Sequence, residues 1–178
     1  ALFHVLPVPW EATVSYVGGT AAGPAAILAA SHQLEITDGY SVPGEAGIAT
    51  LPAIDCTGDR ETVYERITAA VGRTLALGKI PVVLGGEHSL TLPVIEAFAR
   101  AGRRVGIVQF DAHADLRDSF EGSPWSHASV MRRIHADLGL PVLQLATRAV
   151  SLEERAYRAE RNIPFVYARD LVPAGTTR

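Results

Sequence analysis

The densest chemical signal in the 178-residue chain is Asp111-Ala112-His113-Ala114-Asp115, which directly follows the apolar stretch Val105-Gly106-Ile107-Val108-Gln109-Phe110. If the run is extended, side chains at i, i+2 and i+4 project to one side, so two carboxylates and an imidazole converge. Carboxylates this close raise each other's pKa, and a divalent cation removes the conflict. The alternative is that Asp111 caps a turn and His113 packs against a sheet. Gly85-Gly86-Glu87-His88-Ser89 follows the apolar Ile80-Pro81-Val82-Val83-Leu84 in the same manner. Its glycines permit a tight turn, which makes His88 a further candidate ligand. Here the alternative is a histidine satisfied by a turn carbonyl. Glu87 is a candidate acceptor for orienting His88, since metal-binding imidazoles need one. Ser126-His127 follows the loop from Arg117 to Trp125 and is expected to begin a helix. His127 has the residue type to move a proton near neutral pH, or it is a solvent-facing histidine at a helix start. His4, His32 and His135 lack any partner pattern and read as structural or solvated.

Positioning these groups requires strands that end where the motifs begin. Apolar runs alternate with helical patterns, which predicts an α/β protein with a mainly parallel sheet. Strands are expected at 3–8, 47–51, 80–84, 105–110, 142–146 and 163–167. Helices are expected at 24–32, 60–77, 92–101 and 152–161. The most regular is Arg60 to Leu77, where Val63, Ile67, Ala70, Val71 and Thr74 fall on one face and Gly78 follows as a stop. Open parallel sheets place ligands outside the carboxyl ends of their strands, which is where both motifs fall.

Composition narrows the function. Hydrophobic residues are 48% and charged residues 20% of the chain, and net charge is −3. No block of Lys and Arg stands out, so nucleic-acid and membrane partners are not expected. No apolar run approaches the ~18 residues of a membrane span. The start, Ala1-Leu2-Phe3-His4, lacks the basic region of a signal peptide, and the single cysteine, Cys56, cannot form an internal disulfide. A reducing cytoplasm is the expected location. The glycines from Gly18 to Gly23 lack the Lys-Ser/Thr and the spacing of a nucleotide loop.

The motifs together resemble the arginase/agmatinase ureohydrolases, most closely the agmatinase-like members. Val8-Pro9-Trp10-Glu11, Gly19-Thr20 and Gly23-Pro24 are similar to the N-terminal segment of that family. Gly85 to Ser89, Phe110 to Arg117 and Ser126-His127 are similar to its metal and histidine motifs, in order and spacing. The resemblance implies a three-layer α-β-α fold (arginase/deacetylase-like) and two Mn²⁺ ions per complete site, bridged by a hydroxide that attacks a guanidinium carbon. It assigns His88 and Asp115 to one ion, His113 to the other, Asp111 to both, and proton transfer to His127. Agmatine, hydrolysed to urea and putrescine, is the expected substrate. Guanidinobutyrate, other guanidino acids, arginine and formiminoglutamate are the alternatives, and Asp118 or Glu121 either meets an ammonium tail or is a solvated loop acid. A homo-oligomer, trimer or hexamer, is implied.

Two departures accompany it. Val17 stands where many members carry Arg, and no Asp-x-Asp element, the family's third metal motif, follows Asp115. Residues 1–178 therefore read as one incomplete ureohydrolase domain without an internal boundary. Two other readings are open. One is a degenerate relative that binds a partner without catalysis. The other is a single-metal deacetylase, which lacks support from the usual upstream His-His pair.

Overall fold

The computed structural model describes residues 1–171, which form two compact units divided after Arg103. In the first unit, three parallel strands lie in the order β2-β1-β3: β1 (Phe3–Val8), β2 (Ile48–Thr50) and β3 (Ile80–Gly85). Phe3 aligns with both Ile48 and Ile80, so the two outer strands share one register on β1. Helix α1 (Gly23–Ser31) opens with Pro24 in its first turn, where a missing N–H costs nothing. Helix α2 (Arg60–Ala76) is capped by Asp59, whose side chain accepts from the Thr62 amide, and ends at Gly78 with φ 68°. Its buried face contains Val63, Ile67, Ala70, Val71 and Leu75, which matches the face read from the sequence. Each of the valine, leucine and isoleucine side chains contributes about 1.5–3 kcal/mol on full burial. Helix α3 (Thr91–Arg100) buries Leu92 and Ala97 and packs along α2.

The second unit repeats the plan with β4 (Ile107–Phe110), β5 (Val142–Thr147) and β6 (Phe165–Tyr167), parallel and in that order. Between β5 and β6 the register shifts at Ala146, a non-glycine residue held at φ 67°. Helices α4 (Val130–Asp137), α5 (Leu152–Glu160) and α6 (Ala168–Leu171) complete it. A reciprocal capping box opens α5: Ser151 accepts from the Glu154 amide, and Glu154 accepts from the Ser151 amide. One face of β4 carries the buried Gln109. Val108 and Phe110 on the other face are 56% and 76% exposed. Among the described residues, no helix is long and apolar enough to cross a membrane.

His135, read from the sequence as structural or solvated, has a partner. Its Nδ1 lies 2.8 Å from the Tyr157 hydroxyl, and the two rings meet edge to face. Burial pushes its pKa down, and the guanidinium groups of Arg161 and Arg132 push the same way. A histidine with a depressed folded pKa favours the neutral ring, so its contribution is complete above the unfolded pKa of about 6.5 and is lost as pH falls through the folded value. Thermal stability should therefore fall below about pH 6.5 with a His135 component that His135→Gln removes. Identical pH–Tm profiles for the two proteins would refute this.

Candidate metal centre

In the first unit, backbone crowding dictates the glycines before His88. A Cβ on Gly86 would lie 2.3 Å from the Trp10 carbonyl oxygen and 2.8 Å from that of Val8, so no side chain fits there. The chain crosses residues 8–10 at this point, and the Glu87 amide donates to the Trp10 carbonyl at 2.9 Å. His88 then opens a short 3₁₀ turn, His88–Leu90, beyond the carboxyl end of β3.

Glu87 ties two segments of the chain together. It is 3% exposed, and its carboxylate accepts from the Ala12 amide (2.8 Å), the Thr13 amide (2.6 Å), the Thr13 hydroxyl (2.8 Å) and the Ser89 hydroxyl. Ser89 in turn accepts from the Trp10 indole at 3.0 Å. Glu87 therefore clamps the N-terminal segment to the end of β3. Glu11 repeats the device from the other side, accepting from the Gly19 amide (2.8 Å), the Thr20 hydroxyl (2.7 Å) and the Ala21 amide (2.9 Å). Those donors, the Thr20 hydroxyl first, hold the Glu11 carboxyl at a pKa of about 2. Sequence reasoning missed both clamps, because their partners are mostly backbone amides that no residue type announces.

In the second unit, β4 ends at Phe110 and the ladder closes with the Asp111 amide donating to the Leu145 carbonyl at 3.1 Å. The motif is not extended beyond that point. It bends at Ala112, whose carbonyl accepts from the Arg148 and Ala149 amides at 2.8 and 2.9 Å, and Asp115 adopts φ 51°. The strict alternation assumed from the sequence is thus replaced by a bend and a left-handed residue. Asp tolerates that conformation better than most residues. The turn still brings carboxylates together: Asp111 and Asp115 each place an oxygen within 4.8 Å of the other's. Asp111 Oδ1 also accepts from the His113 amide at 2.8 Å, so the capping role coexists with the close pairing. His113 Nδ1 is 3.4 Å from Asp111 Oδ1, and its side chain is 66% exposed.

Two acidic groups so close, with Asp115 only 7% exposed, form an arrangement that a divalent cation stabilises. Carboxylate oxygens flanked by imidazole suit Mn²⁺. The residues present therefore fit the metal that the family resemblance implied.

His127 lies in the turn before α4, which begins at Val130 rather than at Ser126. Its ring stands edge to face with Phe120 at 5.7 Å. The loop before it is pinned by paired bonds between Phe120 and Ser123, and the Arg117 guanidinium lies 4.8 Å over the Phe120 ring. Asp118 bonds Arg133 at 2.8 Å and lies 3.4 Å from Arg132, so guanidinium groups of the same chain already occupy its carboxylate. Glu121 is exposed at a left-handed turn position.

Parallel strands with flanking helices, and candidate acidic and imidazole ligands beyond the strand ends, define the α/β class. Comparison with known proteins narrows this: residues 1–178 match the Arginase family, and the chain belongs to that family. It is 39% identical over 176 residues to N(1)-aminopropylagmatine ureohydrolase of Synechocystis sp., covering 94% of this chain and 57% of that protein. The protein of the same name from Thermococcus kodakarensis is 38% identical over 178 residues, with 96% and 59% coverage. Among solved structures, the agmatine ureohydrolase of Thermoplasma volcanium superposes with a TM-score of 0.87 at 32% identity, over 98% of this chain and 60% of that one. The chain thus spans under two thirds of the length of these relatives. The α/β fold with parallel sheets and flanking helices is the one expected from the sequence.

Proposed function

We propose that the full-length protein is a Mn²⁺-dependent ureohydrolase, adding water to a linear guanidino-alkylamine and releasing urea and an amine. The observation that supports this most is the buried-edge carboxylate pair Asp111–Asp115 in a chain of the Arginase family. His88 and Asp115 would hold one ion and His113 the other, with Asp111 serving both. When bound, the two ions supply the Lewis acidity that activates water and polarises the guanidinium group. Four side chains are a thin shell for two mutually repelling divalent ions, so further carboxylates must complete the set within one larger domain. His127 protonates the departing amine or relays the proton to solvent.

Agmatine was the substrate expected from the sequence. N(1)-aminopropylagmatine shares its guanidinobutyl-amine portion, and the relatives at 38–39% identity bear its name. We therefore rank it first and agmatine second. Urea release from both, and from guanidinobutyrate, formiminoglutamate and arginine, with Mn²⁺ supplied, tests the reading. Faster turnover of arginine or of a guanidino acid would overturn the substrate class. Stable folding with no urea from any of them would favour the non-catalytic relative. A cytoplasmic homo-oligomer, trimer or hexamer, accompanies this reading, and sedimentation as a monomer would remove the oligomer.

Proton transfer by a placed side chain contributes about 10²–10⁴-fold. His127→Ala should accordingly lower kcat by about that factor while Mn²⁺ content stays the same. An unchanged kcat at neutral pH would take His127 out of the mechanism.

A further inference from the structure

The left-handed conformation of Asp115 is imposed on it by both neighbouring peptides. On the amino side, the Ala114 carbonyl accepts from Gln144 Nε2 at 2.6 Å. Gln144 is fully buried on β5, where its backbone is aligned with that of Gln109, and the same Nε2 reaches Gln109 Oε1 at 2.7 Å. On the carboxyl side, the Leu116 amide donates to Glu154 Oε1 at 3.0 Å. Glu154 is 4% exposed, and its other oxygen accepts from the Ser151 amide at 2.8 Å, so α5 fixes that carboxylate from behind. Asp115's own carbonyl accepts from the Met131 and Arg132 amides at 3.1 and 3.2 Å, at the first turn of α4. A strained φ persists only where its surroundings over-determine it. Here a strand side chain, a helix-cap side chain and a helix terminus each hold one of three consecutive backbone groups.

We infer that Gln144 and Glu154 are positioning residues for the metal centre: they lock the peptides on either side of Asp115 and so aim its carboxylate toward that of Asp111. The inference rests on the metal-centre reading above. Both act through the backbone peptides beside Asp115. Their chemistry suits the task, because each is a buried polar group whose partners sit in different elements, so its position is rigid. Glu154 makes one side of α5's capping box with one oxygen and holds the metal loop with the other, which couples the start of that helix to Asp115.

The test uses full-length protein, Mn²⁺ as the probe, and two readouts. The first is the Mn²⁺ dissociation constant. The second is hydrogen exchange of amides 113–116 in metal-free protein. Gln144→Met keeps the buried volume and removes the donor, while Glu154→Met removes the acceptor. Outer contacts that orient metal ligands are typically worth about ten- to hundredfold in affinity. Each variant should weaken Mn²⁺ binding by about that factor and accelerate exchange at 113–116. Ser151→Ala is the control: it removes the hydroxyl cap of α5 and leaves the Leu116–Glu154 bond, so it should lower Tm and change neither readout. Wild-type affinity and exchange in both methionine variants would overturn the positioning role while leaving the metal centre standing. An affinity loss in Ser151→Ala equal to that in Glu154→Met would also overturn it, as a mere consequence of stability. Absence of Mn²⁺ binding by the wild type would instead sink the metal-centre reading, and this inference with it.

Discussion

Asp111→Asn in the full-length protein is expected to lower urea release by roughly 10³-fold or more, with loss of bound Mn²⁺ and little change in metal-free stability. The substitution isolates charge from shape. An asparagine keeps the side-chain oxygen that accepts from the His113 amide at 2.8 Å, so the turn after β4 survives. It removes one negative charge from a pair of carboxylates whose oxygens lie within 4.8 Å of each other. Relieving that repulsion costs the metal-free protein nothing, but it weakens the cation's attraction to the site. The magnitude follows from the several kcal/mol that a metal centre supplies to its transition state, at about 1.36 kcal/mol per tenfold in rate. Metal analysis after dialysis and a urea assay check both halves. Full Mn²⁺ content and activity in the variant would show that Asp111 is a turn cap alone.

Glu87→Ala should produce the largest loss of stability among single substitutions near the motifs, about 3 kcal/mol, because a buried carboxylate shared by four donors is lost and the buried Ser89 hydroxyl loses its acceptor. Two amides and two hydroxyls would lose a common acceptor. A change of that size lowers Tm by about 10 °C in a protein of this length. Glu87→Gln should fall between, since an amide can accept some of these bonds but presents its own N–H groups to the rest. Calorimetry of the metal-free protein decides the matter. A Tm within a degree or two of wild type, together with weakened Mn²⁺ binding, would restore Glu87 as the group that orients His88 and refute the clamp.

Much of the architecture was legible because it rests on local pattern. The 3.6-residue period of Arg60 to Ala76 and the stop at Gly78 are properties of consecutive residues. The apolar strands at Phe3–Val8, Ile80–Gly85 and Val142–Thr147 also appear within about a residue of where the pattern set them. The start of the helix that contains His135 was mis-set: Ser126 looked like its start, yet three turn residues intervene before Val130. Ser126 and Ser129 are instead buried beside each other, 3.3 Å apart between hydroxyls. Residue type alone does not tell a serine that caps a helix from one that is packed beneath a turn.

The sequence by itself determined the α/β class, the two strand-end motifs, and the types of side chain that fall there. Each of these depends on residues adjacent in the chain. Only the tertiary structure decided how Asp111 and Asp115 come together, through the bend at Ala112 and a left-handed Asp115 rather than through a straight strand. It alone revealed that Glu87 serves residues 12 and 13, and that Gln144 and Glu154 grip the peptides around Asp115. These contacts join groups 30 to 75 positions apart, most of them through backbone amides and carbonyls. Every residue carries such groups, so sequence cannot single them out until folding places a particular side chain against them.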